Sequence, residues 1–408
     1  MPAAPHRRAA GLRWVVVVLG TVLLVTAALV GRPAWSAGGG DGPEGGDAGG
    51  DGVTRVLARA AASASVPFTG TATSSGALGL PDLPRLGDVA ALVGESTRTR
   101  TWWAGEGTWR TDVLTATGER GQYASGGQLT GWDYERDAIT VDAPLSGARL
   151  PRASDLLPPT LARSLLAGAT PEQLVEQGAT DIGERVVAGR LADGVRLRTT
   201  PTAEQPDASR LSTLDHADVW VDRATGLPLA VDVVDIVGGP VVSAAFDDVA
   251  LGAPNPAALV VPDPPGASVR TAEVDVAAGA ATAAPWALPD QLAGLPALQD
   301  PLSTGAVAYG TGLLRLAVVS LPAEQGRQAL FAAEAAGADP LDPADDASTP
   351  AARTALVRAG ALSAAIVVVP DGEGRRERRA YLVSGAVQPE LLTRAAAQLV
   401  TEPPERRP

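Results

Sequence analysis

Short strand-like segments, several of them separated by glycine-containing turns, recur along the chain between residues 67 and 250, and this pattern limits the possible folds most strongly. They lie near Pro67–Ser74, Thr97–Trp103, Thr108–Thr115, Arg120–Ala124, Leu129–Asp142, Glu184–Ala188, Gly194–Thr199, Ala217–Asp222, Pro228–Asp235 and Val241–Ala250. Strands joined by short turns pair with their sequence neighbours in antiparallel fashion. The sequence therefore predicts an antiparallel meander.

Two helical segments interrupt the predicted meander. An apolar helix begins at Ser154–Pro159, and Thr170 is followed by proline at the first helical position of the next helix. Alternation along the strands collects large aromatic residues on one curved sheet. Two interpretations remain open: a core packed by these helices, or a groove for an acyl chain that the helices cover as a lid. The candidate groove residues are Phe68, Trp103, Trp109, Trp132, Leu157, Leu161 and Leu165.

An uncharged apolar stretch, Trp14–Val30, follows Arg7, Arg8 and Arg13 near the N-terminus. As a helix it would reach about 25 Å, slightly short of a ~30 Å hydrocarbon core but longer than the apolar part of an ordinary signal peptide. We therefore expect a single-pass membrane anchor with the C-terminal bulk extracytoplasmic, the arginines lying inside. Secretion after signal cleavage is the alternative.

Composition excludes several classes of protein. The chain has no cysteine, so neither a lipid-modified cysteine nor a disulfide framework is available. The net charge of −13 argues against a nucleic-acid partner, which requires a basic surface. About 370 residues follow the apolar stretch, enough for two domains with hydrophobic cores.

The second half of the chain predicts a smaller unit. Strand-like Ala306–Leu321 is followed by a helix over Glu324–Ala336, a hairpin of Ala361–Pro370 with Arg379–Ala386, and a closing helix over Pro389–Val400. The predicted organisation is an N-terminal anchor or signal segment (1–37), a Gly/Asp-rich tether (38–53), a ligand-binding domain (54–268), an Ala/Pro linker (269–300) and a small α+β domain (301–402).

A series of motifs gives the larger domain a family likeness: Val66-Pro67-Phe68-Thr69-Gly70, Trp102-Trp103 with Trp109-Arg110, Gly131-Trp132-Asp133-Tyr134, Leu150-Pro151-Arg152, Asp222-Arg223-Ala224-Thr225-Gly226-Leu227-Pro228 and Val261-Pro262. This order resembles the LolA/LppX-type lipoprotein-carrier superfamily. The smaller domain, with Val307-Ala308-Tyr309-Gly310 and Leu382-Val383-Ser384-Gly385-Ala386-Val387, resembles the C-terminal domain of the RseB/MucB sigma-E regulators.

The resemblance implies an α+β protein: a half-open antiparallel β-barrel with a helical lid, followed by a small α+β domain. It also implies that the protein binds an acyl chain, lipid or lipoprotein, and that a membrane anti-sigma factor is its partner in the cell envelope. A regulatory protein that senses envelope state is the leading hypothesis. A lipid or lipoprotein carrier in envelope assembly and a structural envelope module without a ligand are the alternatives.

The residues offer little for catalysis, and we expect neither an enzyme nor a cofactor or metal. His216 is the single histidine beyond the N-terminal region, there is no lysine, and no Gly-x-Ser-x-Gly or His-Glu-x-x-His motif occurs. An arginine cluster is the candidate contact for a partner or a lipid headgroup, although such clusters also protect strand edges. It comprises Arg375, Arg376, Arg378 and Arg379.

Overall fold

The computed structural model describes residues 50–76, 92, 94–115, 118–141, 152–200, 206–263, 265–271, 286–298, 305–341, 352–369 and 379–404. The predicted anchor Trp14–Val30 and nearly all of the predicted tether lie outside these residues. Among the helices within them, none combines the length and the apolar character needed to cross a bilayer.

One large sheet dominates the first domain. Its strands are β1 (Phe68–Gly76), β2 (Ser96–Gly105), β3 (Thr108–Leu114), β4 (Glu119–Ser125), β5 (Gln128–Asp133), β6 (Ala138–Val141), β7 (Thr180–Val187), β8 (Arg190–Arg198), β9 (Leu214–Asp222), β10 (Pro228–Asp235), β11 (Pro240–Leu251) and β12 (Ser268–Thr271). The twelve strands are ordered β12-β6-β5-β4-β3-β2-β1-β11-β10-β9-β8-β7. Two meanders thus meet where β1 pairs with β11.

All pairings in this sheet are antiparallel except that of the edge strand β12, which lies parallel to β6. At the centre of the sheet, Phe68 of β1 faces Leu251 of β11 on one side and Trp103 of β2 on the other. The predicted single strand Leu129–Asp142 is wrong. A turn after Asp133 separates β5 from β6, and Asp137 in that turn has a φ of 49°.

Three helices pack on one face of the sheet: α1 (Gly50–Ala61), α2 (Pro158–Leu166) and α3 (Pro171–Glu176). The N-terminus of α3 has the predicted cap, because the Thr170 hydroxyl accepts from the Gln173 amide while the Gln173 side chain accepts from the Thr170 amide. Leu57, Leu161 and Leu174, one from each helix, belong to one buried apolar cluster with strands β8–β11. These helices bury the apolar face of the sheet.

The second domain contains a five-stranded antiparallel sheet between two helices. Its strands are β15 (Ala306–Thr311), β16 (Leu314–Leu321), β17 (Arg353–Ala359), β18 (Leu362–Val369) and β19 (Arg379–Gly385), in the order β15-β16-β19-β18-β17. The helices are α5 (Ala323–Ala335) and α6 (Pro389–Thr401). Alternation along β16 sends Val319 towards α5 and Val318 towards α6.

Two details of this domain differ from the prediction. The predicted strand Ala306–Leu321 is a hairpin of β15 and β16, with Gly312 in the turn at a φ of 56°. Strand β17 was not predicted. The overall class is confirmed: an open, mostly antiparallel sheet carrying helices on one face is followed by a small α+β domain.

Two connecting segments pack against the second domain. The short strands β13 (Gln291–Leu292) and β14 (Leu295–Pro296) form a two-stranded sheet. Leu292 and Leu295 are buried with α6 and with Tyr309, whose hydroxyl donates to the Pro289 carbonyl at 2.8 Å. Helix α4 (Ala208–Leu211), which belongs to the first domain, buries Leu211 in the same cluster. The domains therefore share a packed interface.

Candidate functional site

The candidate site begins with three stacked aromatic rings on the helix-covered face of the sheet, here called the inner face. Phe68, Trp103 and Trp109 stand side by side on β1, β2 and β3 in direct register. The ring centroids of Phe68 and Trp103 are 6.0 Å apart, and those of Trp103 and Trp109 are 5.9 Å apart, with nearly parallel planes. Phe246 of β11 meets Phe68 edge-on at 5.3 Å. This row is the inner aromatic stack.

The polar atoms of the inner aromatic stack are satisfied by this chain. The indole N–H of Trp103 donates to the Ala64 carbonyl at 2.9 Å, and that of Trp109 donates to the Glu106 carbonyl at 3.1 Å. Phe68, Trp103 and Trp109 are at most 4% exposed. Any ligand that reached these rings would therefore have to separate segments that now pack together.

The structure brings some predicted groove residues together and separates others. Leu157, at the start of α2, is buried in one cluster with the inner aromatic stack. Leu161 and Leu165 contribute to the adjacent cluster with α1. Trp132 does not join them. It pairs with Gly121, so its side chain lies on the same face of the sheet as that of Tyr123. Trp109 lies on the other face, because it pairs with Ala124.

A positive charge lies at the edge of the inner aromatic stack. The guanidinium of Arg163, on α2, lies 5.5 Å from the centroid of the Trp103 ring and donates to the Ser63 hydroxyl at 3.3 Å. Burial between the helix and the ring lowers the pKa of Arg163 to about 10. Within the described residues no carboxylate lies within ion-pair distance of it. An anionic group could therefore pair with this guanidinium.

A second arginine ties the lid helix α2 to the small domain. Arg315, on β16, donates to the carbonyls of Ser164 at 2.5 Å, of Leu165 at 3.1 Å and of Ala167. These carbonyls end the helix, where a cation also meets the negative end of the helix dipole. Burial lowers the pKa of Arg315 to about 10. This contact is here called the Arg315 latch.

Sequence reasoning missed the Arg315 latch, although the sequence carries a signal for it. Arg315 is the single charged residue in the apolar run Leu313–Leu321. A charge in the middle of a buried strand needs partners, because an unpaired buried cation is costly. Two further hydrogen bonds join the first domain to the second nearby. The Gln177 side-chain amide donates to the Thr311 hydroxyl at 3.2 Å, and the Thr213 hydroxyl donates to the Ala361 carbonyl at 2.6 Å.

The predicted arginine cluster lies mostly outside the described residues, which include Arg379 but not Arg375, Arg376 or Arg378. The Arg379 guanidinium lies 4.7 Å from the centroid of the Trp286 ring. It therefore packs against the segment that connects the two domains. Whether the cluster contacts a partner stays a prediction.

His216 has a simple environment on β9. Its Nδ1 atom lies 2.6 Å from a carboxylate oxygen of Asp215, and its Nε2 atom lies 4.0 Å from one of Asp218. Over the described ranges, no three histidine, cysteine or acidic side chains converge to hold a metal ion.

The chain is similar to several solved structures. No protein-family model matches it, and no curated protein sequence matches it. Similar solved structures include the Pseudomonas aeruginosa MucA/MucB complex, at 18% identity and a TM-score of 0.45, covering 85% of this chain and 97% of that chain. LprF from Mycobacterium bovis is similar at 12% identity and a TM-score of 0.30, covering 53% of this chain and 98% of that one. A LolA superfamily protein from Nitrosomonas europaea is similar at 9% identity and a TM-score of 0.21, covering 51% and 97% respectively.

Proposed function

We propose that this chain is a non-enzymatic, extracytoplasmic binding protein of LolA-like architecture, close to the MucB type. In this proposal an acyl chain of a lipid or lipoprotein enters between the inner aromatic stack and helix α2. Its entry changes the affinity of the protein for a membrane partner of the anti-sigma class. The sequence resemblance suggests that partner class, and the solved P. aeruginosa structure contains MucB together with MucA.

The Arg315 latch is the single observation that carries this proposal. Three carbonyls at the end of α2 accept from one side chain of the small domain, so α2 cannot move without breaking a contact between the domains. A ligand that displaces α2 would therefore alter the domain interface as well. Coupling of this kind needs a ligand with different affinities for the latched and the released state.

The chemistry of the ligand follows from the inner face. The inner aromatic stack and Leu157 offer an apolar surface once α2 moves, and Arg163 offers a cation beside it. An acyl chain would replace the apolar contacts that α2 gives up. An anionic headgroup would pair with Arg163. A single-chain anionic lipid such as lysophosphatidylglycerol combines both properties.

Hydrogen exchange tests this function on the full chain. We expect lysophosphatidylglycerol to accelerate amide exchange in α2 and at the Arg315 latch, while exchange within β18 and β19 stays unchanged. An Arg163→Gln variant should need more lipid for the same effect, and Arg327→Gln, an exposed arginine on α5, should behave as the parent protein. Unchanged exchange in α2 at saturating lipid would contradict the proposal.

A structural module without a ligand is the second candidate, favoured by the burial of Phe68, Trp103 and Trp109. Lipid extraction and mass spectrometry on gently purified protein separate the two functions. Stoichiometric lipid would support binding, whereas its absence together with unchanged exchange in α2 would support a packed module. Transfer of bound lipid to acceptor vesicles would instead identify a carrier.

A further inference from the structure

The opposite face of strands β2–β5, here called the outer face, carries a second aromatic group with a different chemistry. The Arg110 guanidinium lies 4.7 Å from the centroid of the Trp102 ring and 5.1 Å from that of Tyr123. It also makes a bidentate ion pair with Asp112: the Nε and Nη2 atoms donate to the two carboxylate oxygens at 2.7 and 2.6 Å. Asp112 is fully buried. The ion pair and the rings together form the floor of the outer face.

One polar atom of this floor has no partner. Tyr123 is 1% exposed, and its hydroxyl makes no hydrogen bond with any described residue. The ring extends along the strand towards Gly121: a Cβ atom on Gly121 would lie 3.0 Å from a ring carbon of Tyr123 and 3.4 Å from its hydroxyl oxygen. Glycine at this position therefore gives the Tyr123 ring room to lie against the strand, because a Cβ atom there would also lie 3.0 Å from a carboxylate oxygen of Asp112. A buried hydroxyl without a partner costs stability unless something else binds it.

A cavity of about 280 Å³ lies over this place. Tyr123 and Gly121 line it together with Trp132, Pro262 and Tyr134, and the last is 72% exposed. Its volume is close to the lower end of the range for small-molecule sites. The aromatic rings give the ligand flat apolar contacts, and the hydroxyl of Tyr123 gives it a buried polar one.

The charges around the cavity are balanced, which selects against an ionic ligand. Arg110, in the wall, is neutralised by Asp112 behind it. Glu119, also in the wall, lies 3.8 Å from the guanidinium of Arg100. A neutral ligand with one apolar face and several hydroxyl groups satisfies all of these contacts. Sugars in the pyranose form have this shape, because one face exposes C–H groups and the edge carries hydroxyls that both donate and accept.

We propose that the cavity bounded by Tyr123, Trp132 and Tyr134 is a binding site for one neutral pyranose ring of a glycan. The ring stacks against the aromatic wall, one sugar hydroxyl bonds to the Tyr123 hydroxyl, and another donates to the Glu119 carboxylate. This site lies on the face of the sheet opposite to the helices, so it does not depend on the function proposed for the inner face.

Saturation-transfer NMR on the full chain tests this site, in a detergent without a sugar headgroup. The probes are methyl glucopyranoside, methyl mannopyranoside and methyl N-acetylglucosaminide. We expect saturation of the aromatic protons to reach the ring C–H protons of at least one probe. Absence of transfer to all three would overturn the proposal.

Two variants and a matched control locate the site. Tyr134→Ala should weaken binding of the responding probe roughly tenfold, as loss of an aromatic contact of about 1.4 kcal/mol predicts. Phe331→Ala removes an equally exposed aromatic side chain, on α5, and should leave binding unchanged. Equal effects of the two variants would overturn the assignment to this cavity.

Tyr123→Phe separates a binding role from a structural one. Removing a hydroxyl without a partner should leave the melting temperature of the ligand-free protein unchanged or raise it, while the affinity for the sugar falls about tenfold. A merely structural tyrosine would show the reverse, with a lower melting temperature and unchanged affinity. That result would overturn the proposal.

Discussion

The two faces of strands β2 and β3 surround their aromatic side chains with different environments. On the inner face, Trp103 and Trp109 stack in an apolar cluster and both indole N–H groups have partners. On the outer face, the neighbouring Trp102 ring stacks on the guanidinium of Arg110, which pairs with the buried Asp112. Adjacent residues of one strand thus contribute to two different environments. Aromatic content alone therefore does not identify a binding surface.

The inner face should respond most strongly to loss of apolar volume. Trp103→Ala removes the middle ring of the inner aromatic stack, and we expect the free energy of unfolding to fall by about 3 to 5 kcal/mol. Trp102→Ala, the next residue on the outer face, should cost about half as much, because Trp102 is only partly buried. Urea denaturation of both variants measures the difference. Equal losses would remove the distinction between the faces.

The outer face should instead respond most strongly to loss of a charge. Asp112→Asn leaves the Arg110 guanidinium without its anionic partner, and we expect a loss of about 3 kcal/mol in unfolding free energy. Asp247→Asn provides the matched control, since Asp247 lies 3.6 Å from Arg98 in a largely exposed pair. The control should change stability by less than about 1 kcal/mol. Similar effects in the two variants would show that burial of the pair does not matter.

The position of helix α2, which covers the inner face, should depend on the Arg315 latch. Arg315→Met keeps the apolar stem but removes the donors to the three carbonyls of α2, so we expect a loss of about 2 kcal/mol and faster hydrogen exchange in Pro158–Leu166. Arg327→Met is the control, because Arg327 is exposed on α5 and pairs with Glu324 of the same helix. Unchanged exchange in α2 would show that the arginine does not hold the helix.

The smallest effect should come from an exposed ion pair between the domains. A hydrogen bond from Arg394 holds the pKa of Asp207 below its usual value. A lowered folded-state pKa contributes stability above the unfolded-state pKa of about 4, and this contribution disappears as the pH falls through the folded-state value. We expect Asp207→Asn to remove less than about 1 kcal/mol at pH 7.

Thermal melts of the Asp207→Asn variant and the parent protein between pH 2 and pH 7 measure this effect. The two melting temperatures should differ at pH 7 and converge in acid, because protonation of Asp207 then has the same effect as the substitution. A constant difference across the range would assign the effect to something other than this pair. The small loss of stability expected for Asp207→Asn would contrast with the larger loss expected when the buried Arg110–Asp112 pair is broken.

The sequence predicted the class of the fold well because strand spacing and alternation are local signals. The turn between β5 and β6 escaped prediction, since its positive-φ residue is Asp137 where a glycine would have marked it. The N-cap at Thr170 was predictable because its partners are close in sequence. The pairing of β1 with β11 was not, because nothing local to Phe68 specifies Leu251.

The same distinction applies to the sites. The rings of Phe68, Trp103 and Trp109 lie side by side because neighbouring strands keep them in register, and their role in a ligand groove stays a prediction. Trp132 was assigned to the wrong group because its face depends on the register of two further strands. The outer cavity was not foreseen, since Pro262 reaches it from more than a hundred residues away.

The central pairing of β1 with β11 also has a consequence for biosynthesis. Phe68 and the residue opposite it, Leu251, are separated by most of the first domain. Closing so long a loop is slow in folding, because its entropy is lost before the contacts form. While the chain is being made, the edge of β1 stays unpaired until β11 has emerged. We expect the nascent protein to need protection of that edge until synthesis passes Leu251.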